Sequence, residues 1–286
     1  MHRFVIVLPF IAQLAGCTVG GVLPSGGSGS SGPFDRPTRP GDLVLRVSVE
    51  GGFAPAAARL TELPTFSLLG DGRVIRPGPQ IAIYPSPLLP NLQQSTLTMR
   101  QVDDLLAEAA AAGVFGPDAD YPVGGVMDAS TTVFTSNVNG HHRISAYALG
   151  EAGDEGLTDE TRTARSKLRG FLSALPDAGP TTSYTAAEVR LLVHRHDPAR
   201  DDATTGGLRR GTIDWPLPNV SLARAGHGAQ PLPDWRCFTV TGEDAGTFLV
   251  AARGANALTL WREAGEAYML LVRPLLPDET GCPAGA

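Results

Sequence analysis

A single lysine, Lys167, stands against 22 arginines in this chain of 286 residues. Base is outnumbered by acid, and the net charge of −6 argues against nucleic acid as a partner. Three cysteines are too few for a multi-disulfide framework, and no C-x-x-C pair occurs. There is no G-x-S-x-G elbow, no S-x-x-K, no H-E-x-x-H and no phosphate-binding glycine loop. The common signatures of nucleophilic, zinc-peptidase and nucleotide chemistry are therefore missing. Serine, histidine and aspartate all occur, but their spacing gives no reason to group them. The apolar run Phe4 to Ala12 is about nine residues long, where a spanning helix needs roughly 20.

That short run has a position that explains it. His2 and Arg3 give a weak basic start, the run follows, and small residues follow the run. This is the pattern of a secretory signal, to be set aside in fold reasoning. Leu14-Ala15-Gly16-Cys17 resembles the lipobox of bacterial lipoproteins. The resemblance covers the first 17 residues and implies that 1–16 is a signal peptide and that the Cys17 thiol carries a lipid. Acyl chains contribute about 0.8 kcal/mol per buried CH₂, so two or more anchor a protein stably. With the scarcity of lysine and the abundance of Ala, Gly and Pro, the chain resembles uncharacterised lipoproteins of high-GC, actinobacterial type. An ordinary signal peptide with a chance cysteine is the alternative. Residues 17–41 then read as the lipidated cysteine and a Gly/Ser/Pro linker, whose 24 residues after Cys17 would span roughly 25–30 Å as a coil.

From Asp42 onward 245 residues remain, and with 42% hydrophobic residues in the chain a sizeable core is available. DLVLRVSVE (42–50) alternates as a strand does. FSLLGDGRVI (66–75) reads as a hairpin turning at Asp71-Gly72. A proline-rich loop follows, with a short strand expected at Ile81–Tyr84. Thr98 caps a helix that Gly113 stops, with Val102, Leu105, Leu106 and Ala109 as its buried stripe. Strands are expected at 131–137 and 141–147 about Asn139-Gly140, and a second helix at 159–175 behind Thr158. The second half echoes this order: a strand at 187–196, Leu217–Leu222 in place of Leu63–Leu68, a helix behind Thr241, and a hairpin at 258–272. The expected fold class is α+β, antiparallel sheets with packed helices. It is arranged as two tandem strand-strand-helix-hairpin modules, 42–176 and 177–286, unless the order arose by chance. The Gly70-Asp71-Gly72 hairpin, the Ala110–Phe115 helix end and Tyr121 also resemble small bacterial domains of unknown function.

With Cys17 assigned to lipid, Cys237 and Cys282 remain. In an oxidising compartment they pair into a disulfide, the alternative being two free structural thiols. His194 and His196 share one face of a strand, and with Asp197 they offer the start of a metal site. The competing reading is a solvated strand end. Asp118 and Asp120 alternate as calcium ligands do, with Asp128 later, but without the glycine and terminal glutamate of a calcium hand, and a turn with exposed acids is the competing reading. Trp215 and Trp235 flank proline-rich loops, where they form either a binding surface or part of the core. No cofactor is implied. The expected protein is a lipid-anchored, extracytoplasmic binding or scaffolding module of the cell envelope, without catalysis, meeting an envelope protein or glycan. The alternatives are a metal-assisted enzyme using His194 and His196, or an inhibitor of another enzyme.

Overall fold

The computed structural model describes residues 32–150, 153–176 and 179–282. Alternation at the start of the folded part becomes β1 (Leu43–Gly51), a central strand of an eight-stranded sheet. On one side lie β2 (Phe66–Leu69), β3 (Arg73–Pro77) and β4 (Leu92–Thr96). On the other lie β6 (Ser130–Ser136), β7 (His142–Tyr147) and the edge strand β5 (Ala119–Tyr121). The two-residue β8 (Thr182–Ser183), from beyond the expected boundary at 176, pairs with β4 and closes that edge. A six-stranded sheet follows. Its central β9 (Glu188–Arg195) lies between β12 (Leu232–Thr241) and β14 (Glu266–Pro274). Outside these run β11 (His227–Ala229), β13 (Leu260–Glu263) and β10 (Thr212–Asp214). All pairings are antiparallel except β5 with β7 and β10 with β13. The fold is α+β.

The helices form where caps and periodicity place them. In α2 (Met99–Ala111), which follows the short α1 (Ala56–Thr61), the Gln101 amide donates to the Thr98 hydroxyl at 3.3 Å. The Thr98 amide donates back to the Gln101 side chain at 2.9 Å, completing a capping box. At the other end Val114 N–H bonds Ala109 O and Gly113 N–H bonds Ala110 O, with Gly113 at φ 87°, a Schellman stop. The expected stripe is buried, and each of Val102, Leu105 and Leu106 contributes roughly 1.5–3 kcal/mol. α3 (Asp159–Ala174), capped by Thr158, adds Leu168 and Phe171 to the same core. Beyond the one-turn α4 (Pro198–Asp201), α5 (Gly242–Ala252) in the second half packs Phe248 against Trp261.

Four local expectations are corrected. The 70–72 turn is a three-residue loop: Gly72 N–H bonds Leu69 O at 2.9 Å, and only Gly72 takes positive φ. Ile81–Tyr84 forms no strand and makes no backbone hydrogen bond with any described residue. Thr241 precedes α5 but its side chain makes no cap bond. Leu217–Leu222 forms turns, whereas its counterpart enters β2. Nor is the pairing repeated. After the helix, the first strand of the hairpin (β6) pairs with β1, but in the second sheet it is the last strand (β14) that pairs with β9.

Residues 32–41, assigned by composition to the coil, lie against the first sheet. Phe34 meets Phe115 edge-on at 5.9 Å, and Asp35 and Asn139 exchange hydrogen bonds. Arg36 is buried and donates to Gly70 O and to the Met99 sulfur. Any side chain at position 70 would put its Cβ 2.8 Å from the Thr38 carbonyl carbon, so glycine is needed where the arm crosses.

Arg165 is the one fully buried charge among the described residues, at 0% exposure in the middle of α3. It donates to Asp154 Oδ1 at 2.9 Å and to the carbonyls of Tyr121, Tyr147 and Ala148. Asp154 also holds Arg169. The Arg169 hydrogen bond, opposed by burial and aided by Arg165, holds the Asp154 carboxyl at about 2. Its folded value thus lies below the ordinary 3.8, so this carboxylate stabilises the fold above pH 4 and ceases to as pH falls toward 2. An Asp154→Asn chain should lose stability at pH 7, and its stability should change less than the parent's between pH 4 and 2. Urea midpoints across that range measure it, and equal slopes for both chains would refute the assignment.

Candidate binding cleft where the sheets meet

Residues alternate along β1, so Leu45 and Val47 face the helices while Arg46, Ser48 and Glu50 face away. On that outer face a cleft of about 380 Å³ opens between β1, α1 and the segment after β14. That is within the range of small-ligand sites, roughly 300–1,000 Å³.

One wall is a closed ion-pair network. Arg273 grips both Glu279 oxygens, at 2.6 and 2.8 Å, and donates to Glu62 O at 2.8 Å. Arg46 bonds Asp278 at 2.7 Å and the Ser67 hydroxyl at 3.1 Å. Burial pushes the Glu279 carboxyl up, but the Arg273 fork, the Leu276 amide and Arg46 hold it below the usual carboxylate range.

The rest of the cleft is uncommitted. Among the described residues, the side chains of Ser48, Thr135, Arg59 and Glu62 make no hydrogen bond or ion pair. Thr135 stands opposite Arg46 across the β1–β6 ladder. Arg59 and Glu62 project from the end of α1 and the residue after it. Partial burial and the neighbouring Glu50 push the Glu62 carboxyl up, against Arg273. The cleft thus offers two hydroxyls, a cation and a carboxylate to a polar occupant. Nothing local in the sequence marks these residues: Ser48, Arg59 and Glu62 fall in one short stretch, but Thr135 and the Arg273–Glu279 wall reach them only through the fold.

The residues singled out from sequence sit elsewhere. His194 is buried under Trp235, ring centroids 5.2 Å apart, with Nδ1 3.0 Å from Asp234 O. Its Nε2 meets Arg200 and lies 3.4 Å from Asp201. His196 pairs with Asp202 at 2.9 Å, and Arg210 holds the same carboxylate. Hydrogen bonds from His196 and Arg210 keep the Asp202 carboxyl below its usual range. Both histidines are thus taken up by the acidic turn that follows them. Among the described residues no group of three or more His, Cys, Asp or Glu side chains is placed to hold a metal ion. Asp118 accepts the Arg143 amide and Asp120 the Ser145 hydroxyl, which fastens β5 to β7.

Trp215 joins Phe248 and Trp261 in the second core and donates to Val220 O at 2.6 Å. Trp235 lies on β12, not on a loop, half-buried over His194. Cys237 and Cys282 form a disulfide with Cα atoms 5.8 Å apart. Cys17 lies outside the described residues, and among those described no helix is long and apolar enough to cross a membrane. Comparison with protein families, with curated proteins and with solved structures finds no match.

Proposed function

We propose that this chain is a lipoprotein, anchored through Cys17 on the extracytoplasmic face of the membrane, that binds an envelope protein or glycan without catalysis. The cleft is its binding seat. The observation that carries the reading is the set of uncommitted polar side chains, Ser48, Thr135, Arg59 and Glu62, converging on a cleft whose remaining wall is locked by Arg273 and Glu279. Hydroxyls beside a cation and a carboxylate suit a ligand rich in polar groups. The lipobox supports the location.

Two measurements test it. A Cys17→Ala chain is expected to fold normally and to appear in the medium, read by fractionation and far-UV circular dichroism. Retention in the membrane would overturn the anchor. Cross-linking of intact cells, recovery of the tagged chain and mass spectrometry should return one dominant partner. An Arg59→Ala/Glu62→Ala chain should recover that partner about tenfold less well, the factor that corresponds to about 1.4 kcal/mol. Unchanged recovery by this variant would remove the cleft from the reading.

A further inference from the structure

From Pro77 to Met99 the chain has no charged side chain, a run of 23 residues in a protein of net charge −6. In the middle of it Ile81, Ile83 and Tyr84 are 65%, 55% and 63% exposed. The composition of Ile81–Tyr84 is that of a strand, β-branched and aromatic. Yet residues 80–85 make no hydrogen bond with any described residue. Backbone donors and acceptors are therefore left to solvent beside large apolar side chains.

The segment is held at both ends. Gly78 N–H bonds Asn91 O at 2.7 Å, and the Asn91 side chain donates to Pro79 O. At the other end Ala257 N–H bonds Ser86 O, Pro87 bridges to Asn256, and Leu88 N–H bonds Ala255 O. A pinned segment has less entropy left to lose on pairing than a free one.

We propose that Ile81–Tyr84 is a self-association edge, at which two copies of this chain pair antiparallel about a twofold axis through Ala82. A second copy is the occupant whose fit can be read directly. Centring on Ala82 sets Ile81 of one copy against Ile83 of the other, twice, and Gln80 against Tyr84, so apolar meets apolar across the axis. Two molecules of charge −6 repel, and this surface brings no charges together. The strand tendency that the single chain leaves unmet is met in the pair. The area is small: a few residues per copy bury less than the roughly 800 Å² per partner of a standard stable interface. The pair is weak in dilute solution and favoured where copies are concentrated on one membrane. Only that last step rests on the anchor proposed above.

The test places a thiol on the axis. Ala82→Cys, expressed from the full sequence and treated in intact cells with a short bis-maleimide, should give a covalent dimer at twice the mass of the chain recovered without cross-linker. Adding Ile81→Lys and Ile83→Lys, which set like charges opposite each other, should leave roughly tenfold less dimer with unchanged circular dichroism. The Cys17→Ala/Ala82→Cys chain, purified and concentrated to the order of 1 mM, should cross-link as well. That result would hold even if the anchor reading failed. No dimer under either condition, or a product joining the introduced thiol to a different protein, would overturn the inference.

Discussion

Replacing Arg165 with methionine should lower the stability of the fold by about 3–5 kcal/mol, the cost of breaking a buried charge network by removing one partner. Methionine keeps most of the stem volume, so the loss isolates the guanidinium. Without it the carbonyls of Tyr121, Tyr147 and Ala148 lose their donor, and Asp154 keeps only Arg169. These acceptors lie at the ends of β5 and β7, so the guanidinium is what ties α3 to that edge of the sheet. Arg165→Lys should recover little, because one ammonium cannot reach acceptors spread around a planar fork. The exposed Arg162–Asp159 pair three residues away is the control, and Arg162→Ala should change stability by about 0.5 kcal/mol or less. Urea unfolding followed by circular dichroism measures all three chains. A loss below about 1 kcal/mol for Arg165→Met would mean that solvent or neighbours replace the donor.

Elements governed by local signals were legible in the sequence. β1 and β9 follow from alternation, and α2 from Thr98, its apolar stripe and Gly113. Arg165 hid behind the rule that charges face water, although its spacing from Leu168 and Phe171 placed it on the apolar stripe of α3. β12 was obscured by Pro231 and Pro233, which precede Arg236, where its pairing with β9 begins. His194 was correctly placed on a strand, with His196 just past its end, but the acids after them read as solvated when each in fact takes up a histidine. The cleft could not be seen at all. Arg46 and Arg59 are near in sequence, but Thr135 and Arg273 join them only through tertiary pairing, so no one window of sequence contains the whole cleft.

Removing the disulfide by Cys237→Ala/Cys282→Ala should cost about 4 kcal/mol, the chain entropy of a loop closed over a separation of 45 residues. The bond does more than close a loop, because the tail it ends is a strap between the sheets. Leu276 fills a small cluster with Leu69, Ile75 and Leu92 on the first sheet. Asp278 and Glu279 reach Arg46 and Arg273, and Arg190 holds Thr280 O at 3.0 Å and Gly281 O at 2.9 Å. Two outcomes can then be separated. If the polar contacts alone keep the strap seated, Glu279→Gln costs about 1.5–3 kcal/mol with or without the disulfide. If the disulfide seats it, Glu279→Gln is costly in the parent and nearly silent in the Cys237→Ala/Cys282→Ala background, a coupling that a double-mutant cycle reads directly. The second outcome is expected. Each of these contacts is made by only a few residues of a short terminal segment, and the ordering entropy of that segment, about 1–2 kcal/mol per residue, offsets them unless its end is held. Since Glu279 forms one wall of the cleft, partner recovery should fall in the disulfide-free chain as well, and by the same factor whether or not position 279 is glutamate.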